Sequence, residues 1–303
     1  MSTVKEKIIA TGLNGLVGSK FQELFADKYE IITLGRSEAD HRVDITDLTA
    51  LEEVIQSEPD ATTILHLAAY TDVSGAFDQT GDKSAPAYQI NVVGTENLLD
   101  LAKAYGKRLI HISTAYVFDG EKEGLYSEDD TPAPIEWYGE TKYLSEQAVL
   151  NSEAETVILR IDQPFRADAF LKKDVAHKVI AGIEAGTLYP QFNNHYFGPT
   201  YINDFAKVID WALRTRPVGI WHASSGEQWT DFEFAKLINE KVGLGGEVKA
   251  GDLEAYLQTA ARPYQRNTAL SCEKLRRALD FELKTVEQAI TELAVQYERE
   301  QNT

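Results

Sequence analysis

The segment Lys7–Lys28, KIIATGLNGLVGSKFQELFADK, decides the fold. Lys7–Gly12 is a short apolar run ending on glycine, the pattern of a buried strand. From there, apolar residues fall at Leu16, Val17, Phe21, Leu24 and Phe25, the spacing of an amphipathic helix. Between strand and helix lies Gly12-Leu-Asn-Gly15-Leu-Val-Gly18. A strand that turns through glycines into a helix brings backbone N–H groups and the positive end of a helix to a phosphate. In that role Gly12 allows the tight turn, Gly15 lets the backbone approach a pyrophosphate, and Gly18 permits close helix–strand packing. The first two glycines stand one residue farther apart than in the ordinary dinucleotide fingerprint. The plainer alternative is a strand–turn–helix with incidental glycines, and the rest of the chain decides between the two.

Further strands are legible in YEIITLG (29–35), TTILHLAA (62–69), KRLIHIST (107–114) and ETVILRI (155–161). Helical spacing runs through LTALEEVIQ (48–56), APAYQINVVGTENLLDLAKAYG (85–106) and WYGETKYLSEQAVLN (137–151). Strands alternating with helices require crossover connections, hence an α/β, doubly wound parallel sheet covered on both faces. After Ile161 the rhythm loosens. Residues 167–186, 202–215, 229–243 and 285–300 read as helices and 219–224 as a strand. The expectation is a nucleotide-binding core over residues 1–165, with returning segments near 198–223, and a smaller, interleaved substrate lobe over 166–303.

Composition narrows the function. A chain of 303 residues at 43% hydrophobic content can fill a large core. A formal net charge of −18 argues against nucleic acid or an anionic membrane as partners, but not against a small anion held by local N–H groups. With Cys272 as the one cysteine, no internal disulfide can form. MSTVKEKIIATG shows no apolar signal segment, and no run reaches the length of a membrane span. These features predict a soluble cytoplasmic protein and are compatible with a homodimer. No grouping has metal-ligand spacing; Glu128-Asp129-Asp130 reads as a solvated loop.

Two sites carry chemistry. The second strand ends Leu34-Gly35-Arg36-Ser37, without the carboxylate that would bind the 2′-hydroxyl of NAD. Arg36 there suits a 2′-phosphate, which favours NADP(H) and leaves NAD(H) possible; the plainer alternative is a solvated arginine. The fourth strand ends at Thr114, and Tyr138 and Lys142 follow one helical turn apart on a single face. A phenol with a pKa of about 10 is a weak acid–base group at neutral pH. An adjacent ammonium would lower that pKa, and a Thr114 hydroxyl would bond a substrate oxygen. His66 and His111 sit in strand patterns and read as buried structural histidines.

The glycine turn, ISTAYVFDG (112–120), Tyr138-x-x-x-Lys142, LHLAAYTDV, INVVGTENL and GPTYINDFA together resemble the extended short-chain dehydrogenase/reductases, most of all their dTDP-4-dehydrorhamnose reductase group. The resemblance spans most of the chain. It implies a Rossmann core, a Thr114/Tyr138/Lys142 triad with Tyr138 as proton donor, and reduction of the 4-keto group of a nucleotide-linked deoxysugar. It also implies a cofactor site formed by Gly12, Asn14, Gly15, Leu16, Val17, Gly18, Arg36, Asp44, Ile45, Leu67, Ala68, Ala69 and Tyr70, with Asn91 supporting it. Departures cluster where substrate would bind. Ala115 stands where the group carries Asp, which also argues against a dehydratase. Ile161-Asp162-Gln163-Pro164-Phe165 replaces an aromatic-rich segment. Ala115, Val117, Phe118 and Arg262 are the substrate candidates; Lys172, Lys173, His195 and Arg266 are further basic residues of the lobe. Two alternatives stay open: an epimerase using the same triad, and a non-catalytic cofactor-binding protein resembling the regulatory subunit of methionine adenosyltransferase.

Overall fold

The computed structural model describes residues 5–302; Met1–Val4, where the segment read as lacking a leader begins, and Thr303 lie outside the described residues. The chain forms two compact units. The first runs to Val117 and takes in Pro134–Arg160 and Ala206–Trp221; the second is built from Phe118–Ala133, Ile161–Phe205 and the residues from His222 on.

A seven-stranded sheet organises the first unit, in the order Gly219–His222, Thr156–Ile161, Arg108–Thr114, Thr63–His66, Glu6–Thr11, Tyr29–Gly35, His41–Arg42. The ladders on either side of Glu6–Thr11 are parallel, with Ile8 opposite both Ile31 and Thr63. Ile8, Ile9, Ala10, Ile64, Leu65, Leu109 and Ile110 are wholly buried, as strands covered on both faces must be. Leu51, Ile55, Leu98, Leu101 and Val149 from the flanking helices close over one face with Ile9, Ile64 and Ile158. The chain lays strands outward on one side of Glu6–Thr11 and then returns to the other side. That reversal, between Glu6–Thr11 and Thr63–His66, is the switch point at whose carboxyl edge such sheets bind ligands.

One helical expectation is refined and another corrected. The helix read over residues 85–106 runs without a break from Pro86 to Ala104, with α geometry at Pro86–Tyr88 and Gly94–Ala104 and a wider π turn at Gln89–Val93 between them. The wider turn sits where Asn91 turns its side chain away to bond the Tyr70 backbone, through Oδ1 to N (2.8 Å) and Nδ2 to O (3.2 Å). The helix expected from 167 begins only at Val175. Asp174 fixes that start by accepting from the His177 amide at 2.9 Å, while its other oxygen accepts from the Arg166 amide at 2.9 Å. In the second unit, the helices Asp231–Val242 and Val286–Gln301 each open on a capping box and pack with Val175–Glu184 around Phe165, Phe197 and Phe234.

A line of side-chain hydrogen bonds runs under the switch point. The Thr95 hydroxyl donates to the Asn91 carbonyl (2.7 Å), so it must accept from His66 Nε2 (3.0 Å). His66 Nδ1 is then an acceptor, and Thr11 Oγ1 donates to it at 2.8 Å while receiving the Ala68 amide at 3.2 Å. Only neutral, Nε2-protonated His66 satisfies every partner. Burial, reinforced by the charge of Lys142, pushes its pKa down to about 3.

Two predictions follow from these buried polar groups. Arg160 meets Glu146 through two bonds, Nε to Oε1 at 2.8 Å and Nη2 to Oε2 at 2.6 Å, with both side chains fully buried. Glu146→Ala removes the carboxylate from a guanidinium that stays buried; urea unfolding should register a loss of about 3–5 kcal/mol, largely recovered when Arg160 is also replaced by Met. For His66 the folded pKa lies below the unfolded value of about 6.5. Its contribution is therefore intact above that pH and lost as pH falls towards about 3. The stability gap between the native protein and His66→Asn should narrow by about 1.4 kcal/mol per pH unit below about pH 6. A gap independent of pH would rule out a neutral buried His66.

Candidate active site

The glycine turn has little slack. Gly12 has φ +69°, and a Cβ there would lie 2.5 Å from the Ala68 nitrogen, so the turn presses against the end of the neighbouring strand. A Cβ on Gly18 would stand 2.6 Å from Leu13 Cα. Gly18 thus packs against the turn itself, rather than against a strand as the sequence suggests. At Gly15 a Cβ would meet only the Gly12 carbonyl, at 3.1 Å, and beyond it the turn faces open space. Asn14 donates to the carbonyl of Glu38 at 2.8 Å and more weakly to that of Ser37 at 3.3 Å, tying the turn to the loop that carries exposed Arg36. Asp40 bends back to accept from the Thr33 amide and hydroxyl, which leaves the end of that strand to Arg36. Exposed Asp44 closes a small turn onto Thr46, and Ile45 packs so tightly on Gly94 that a Cβ there would be 2.5 Å from its Cδ1. Leu16, Val17 and Leu67–Tyr70 are each partly exposed.

Thr114, Tyr138 and Lys142 converge at the carboxyl end of Arg108–Thr114. The Thr114 hydroxyl accepts the Tyr116 amide at 3.2 Å and acts on the Tyr138 phenol to lower its pKa. The helix Trp137–Asn151 starts tight against this turn: a Cβ on Gly139 would come within 2.2 Å of the Tyr116 carbonyl oxygen. Tyr116 meets the Tyr138 ring edge-on at 5.7 Å. Lys142 is 2% exposed, and its ammonium donates to the Ile112 carbonyl at 2.8 Å and lies 3.3 Å from His111 Nε2.

The electrostatics differ from the sequence-based expectation that Lys142 lowers the Tyr138 pKa. Burial pushes Tyr138 up to about 12, with the Thr114 hydrogen bond opposing and the Glu136 charge reinforcing. Burial also brings Lys142 down to about 8, against the pull of Glu146. Lys142 turns to the strand, so the phenol stays a neutral acid at pH 7. His111 is held neutral by burial and by Lys142.

A dinucleotide fits this edge. The turn is open outside Gly15, Arg36 is exposed, and the buried Ser113 hydroxyl, one residue before Thr114, has no hydrogen-bond partner within the protein. Ser113 and Glu136 are additions that the sequence reading missed. Their signals were the hydroxyl pair in IST and an acid immediately before the catalytic helix. Among the described residues, no three His, Cys, Asp or Glu side chains gather as a metal site. No helix there is long and apolar enough to cross a membrane.

The remaining candidates are mostly held by other contacts. Ala115 and Val117 are wholly buried in the first unit. In the second unit Phe118 is also wholly buried, stacked 4.2 Å from Tyr126. Arg266 is paired with Glu254 (2.6 Å) and Glu121 (2.7 Å), and His195 with Asp231 (2.6 Å); Lys172 and Lys173 are exposed. Arg262 lies 4.1 Å over the Tyr264 ring, with a buried Nη1 that has no hydrogen-bond partner. Asp162 is buried and accepts from the Gly198 amide and the Thr268 hydroxyl, both at 2.8 Å; burial raises its pKa to about 7.

The model of the RmlD substrate binding domain family matches residues 6–299. The chain is 31% identical over 296 residues to the probable low-salt glycan biosynthesis reductase Agl14 of Haloferax volcanii, covering 93% of this chain and 95% of the relative. It is 30% identical over 300 residues to a dTDP-4-dehydrorhamnose reductase of Aggregatibacter actinomycetemcomitans, covering 91% and 94%. A dTDP-4-dehydrorhamnose reductase of Bacillus anthracis, solved in complex with NADP, has a TM-score of 0.85 to it at 27% identity, over 96% of this chain and 99% of that one. With its family model matched almost end to end, this chain belongs to the RmlD substrate binding domain family.

Proposed function

We propose that this protein is an NAD(P)-dependent oxidoreductase that reduces the 4-keto group of a nucleotide-linked deoxysugar. NADP(H) is the favoured cofactor and NAD(H) the lesser one. The observation that carries the reading is the placing of Tyr138 and buried Lys142, whose ammonium donates to the Ile112 carbonyl at 2.8 Å, beside the strand end at Thr114, at the same sheet edge as an open glycine turn. Relatives named dTDP-4-dehydrorhamnose reductase match nearly the whole chain and support it. The reading is of a cytoplasmic enzyme of nucleotide-sugar metabolism that works as a homodimer.

When bound, the nicotinamide cofactor supplies hydride to the carbonyl carbon. The chain's own residues do the rest. Gly12 and Asn14–Gly18 would hold the pyrophosphate, with amides at the start of a helix. Arg36 would take a 2′-phosphate through its guanidinium fork. Asp44 and Ile45 would border the adenine, and Leu67, Ala68, Ala69 and Tyr70, braced by Asn91, would line the cofactor. Thr114 would orient the carbonyl oxygen. Tyr138, neutral at pH 7, would give that oxygen its proton, and Lys142 would stand behind as a charge of adjustable protonation. Ala115, Val117 and Phe118 are the candidates for the substrate side, and Arg262 is the candidate for a diphosphate.

Tyr138→Phe should lower kcat roughly 10²–10⁴-fold on the true substrate while leaving cofactor affinity unchanged. Full turnover by that variant would refute its role. A panel of 4-keto-6-deoxysugar nucleotides, followed by NAD(P)H absorbance, identifies the substrate; conversion without net NAD(P)H consumption would point to an epimerase instead. Arg36→Ala should weaken NADPH binding about tenfold, with NADH binding unaltered. Equal affinity of the native protein for both cofactors, unchanged in the variant, would remove the NADP assignment.

A further inference from the structure

One ring nitrogen sits between two neighbours with opposite demands. His111, on the strand Arg108–Thr114, is wholly buried. Its Nε2 lies 3.1 Å from the Ser145 hydroxyl and 3.3 Å from Lys142 Nζ. The Ser145 hydroxyl has a single hydrogen and gives it to the Lys142 carbonyl at 2.7 Å. Towards His111 it can therefore only accept, which requires hydrogen on Nε2. An ammonium can only donate, which requires a bare Nε2. Lys142 already gives one hydrogen to the Ile112 carbonyl at 2.8 Å, and His111 is a second acceptor for it. Neutral imidazole carries one hydrogen, and Nδ1 of His111 is buried with no hydrogen-bond partner. With Lys142 an ammonium, that hydrogen is forced onto Nδ1 and goes unanswered. With Lys142 an amine, it can sit on Nε2 and bond Ser145.

The surroundings leave these demands to His111 alone. The neighbouring strand presents His66, its ring 5.4 Å from that of His111, but both His66 nitrogens are occupied, by Thr11 and Thr95. On the helix Trp137–Asn151, Glu146 is bound to Arg160 of the next strand, Tyr138 stands one turn before Lys142, and Glu140 is exposed. Arg108, at the far end of the His111 strand, pairs with Glu155 at 3.1 Å. Glu96, Asp100 and Lys103 on Gly94–Ala104 are exposed. The turns Val73–Phe77, Pro86–Tyr88, Gln89–Val93 and Ala115–Val117 bring no charged side chain, only Tyr88 and Tyr116. Burial and the charge of Lys142 keep His111 neutral, so its freedom is one of tautomer rather than of charge.

We propose that His111 is a positioning residue whose tautomer is coupled to Lys142: Nε2 is a bare acceptor while Lys142 is an ammonium, and becomes a donor to Ser145 when Lys142 is an amine. The exchange balances. The ammonium loses one proton, the imidazole trades hydrogen on Nδ1 for hydrogen on Nε2, and a single proton leaves overall. Because the ammonium state strands an N–H in the core, His111 eases loss of the Lys142 proton more than a simple acceptor would. In the reductase reading, which the inference deepens and rests on, a phenol that has given its proton away must regain one. A lysine one turn on that passes readily between its two states keeps this edge able to take up and release protons.

The test follows the imidazole nitrogens of isotope-labelled histidine by NMR in the cofactor-free protein, across the Lys142 midpoint of about 8. Below the midpoint His111 should show a bare Nε2, and above it hydrogen on Nε2. His66, which keeps its hydrogen on Nε2 throughout this range, is the internal reference. In Lys142→Met, with no ammonium to answer, His111 should carry its hydrogen on Nε2 at every pH. His111→Gln offers an amide oxygen to Lys142 and an amide N–H to Ser145 at once. The Lys142 midpoint, read from its own labelled side chain, should then rise by about one pH unit. A single tautomer of native His111 across the whole range overturns the proposal. So does a switch that persists in Lys142→Met, or a midpoint in His111→Gln that stays or falls. If a variant fails to fold, the tautomers of the native protein decide alone. If no ketosugar nucleotide is reduced at all, the function reading fails while the NMR still judges His111.

Discussion

The buried Glu146–Arg160 ion pair is the constraint around which the site is built. The helix Trp137–Asn151 does not bury an apolar stripe. Its buried positions are Trp137, Gly139, Thr141, Lys142, Ser145, Glu146 and Val149. Tyr138, Lys142 and Glu146 follow at four-residue intervals, so one face carries a phenol, an ammonium and a carboxylate into or beside the core. Such a face is stable only if each group is answered. Arg160, from the adjacent strand, meets Glu146 with two bonds. The Ile112 carbonyl answers Lys142, and the Lys142 carbonyl takes the Ser145 hydroxyl at 2.7 Å. Without the negative charge of Glu146, burial would drive the lysine further towards neutrality. The ion pair thus anchors the helix and sets the charge behind the phenol.

A second network connects that helix to the glycine turn. From Thr11, next to Gly12, hydrogen bonds pass through His66 and Thr95 to Asn91. Asn91 donates to the Thr141 hydroxyl at 3.0 Å, and that hydroxyl donates to the Tyr138 carbonyl at 2.9 Å. Each link has a defined polarity, fixed by the neutral tautomer of His66. The cofactor turn and the first turn of the catalytic helix are therefore held in register by side chains that need not touch any ligand. The π turn at Gln89–Val93 belongs to the same device, because it is where Asn91 leaves the regular helical pattern to reach Tyr70 and Thr141.

This division explains what could be read from the sequence. Apolar runs of Ile, Leu and Val identify the parallel strands because such strands are buried on both faces, and the glycine turn and Tyr138-x-x-x-Lys142 are local patterns with local causes. The helix start at Val175 depends on Asp174 bonding an amide eight residues earlier, which no periodicity records. The π turn at Asn91 goes with its bonds to Tyr70, twenty-one residues away. The orientation of Lys142 was misjudged for a similar reason. Helical spacing places the ammonium near the phenol, but the strand carbonyl of Ile112 and the cost of burial decide where it points and how strongly it is charged.

Charge balance makes a last distinction between the whole molecule and its site. A chain with net charge −18 repels an anionic nucleotide, and salt screens that repulsion beyond a Debye length of about 10 Å. Several arginines cannot offset it, because they face carboxylates of their own: Arg216 meets Glu155 at 2.7 Å and Arg266 meets two glutamates. Arg36 stands exposed at the sheet edge, on a loop that Asn14 ties to the glycine turn. Under the proposed function, anion binding is a matter of short-range geometry. Backbone amides of a turn that tolerates no Cβ at Gly12, and the Arg36 guanidinium, would have to outweigh a field of the wrong sign. Rigidity of the turn would favour them, since donors that are already fixed lose little entropy on binding.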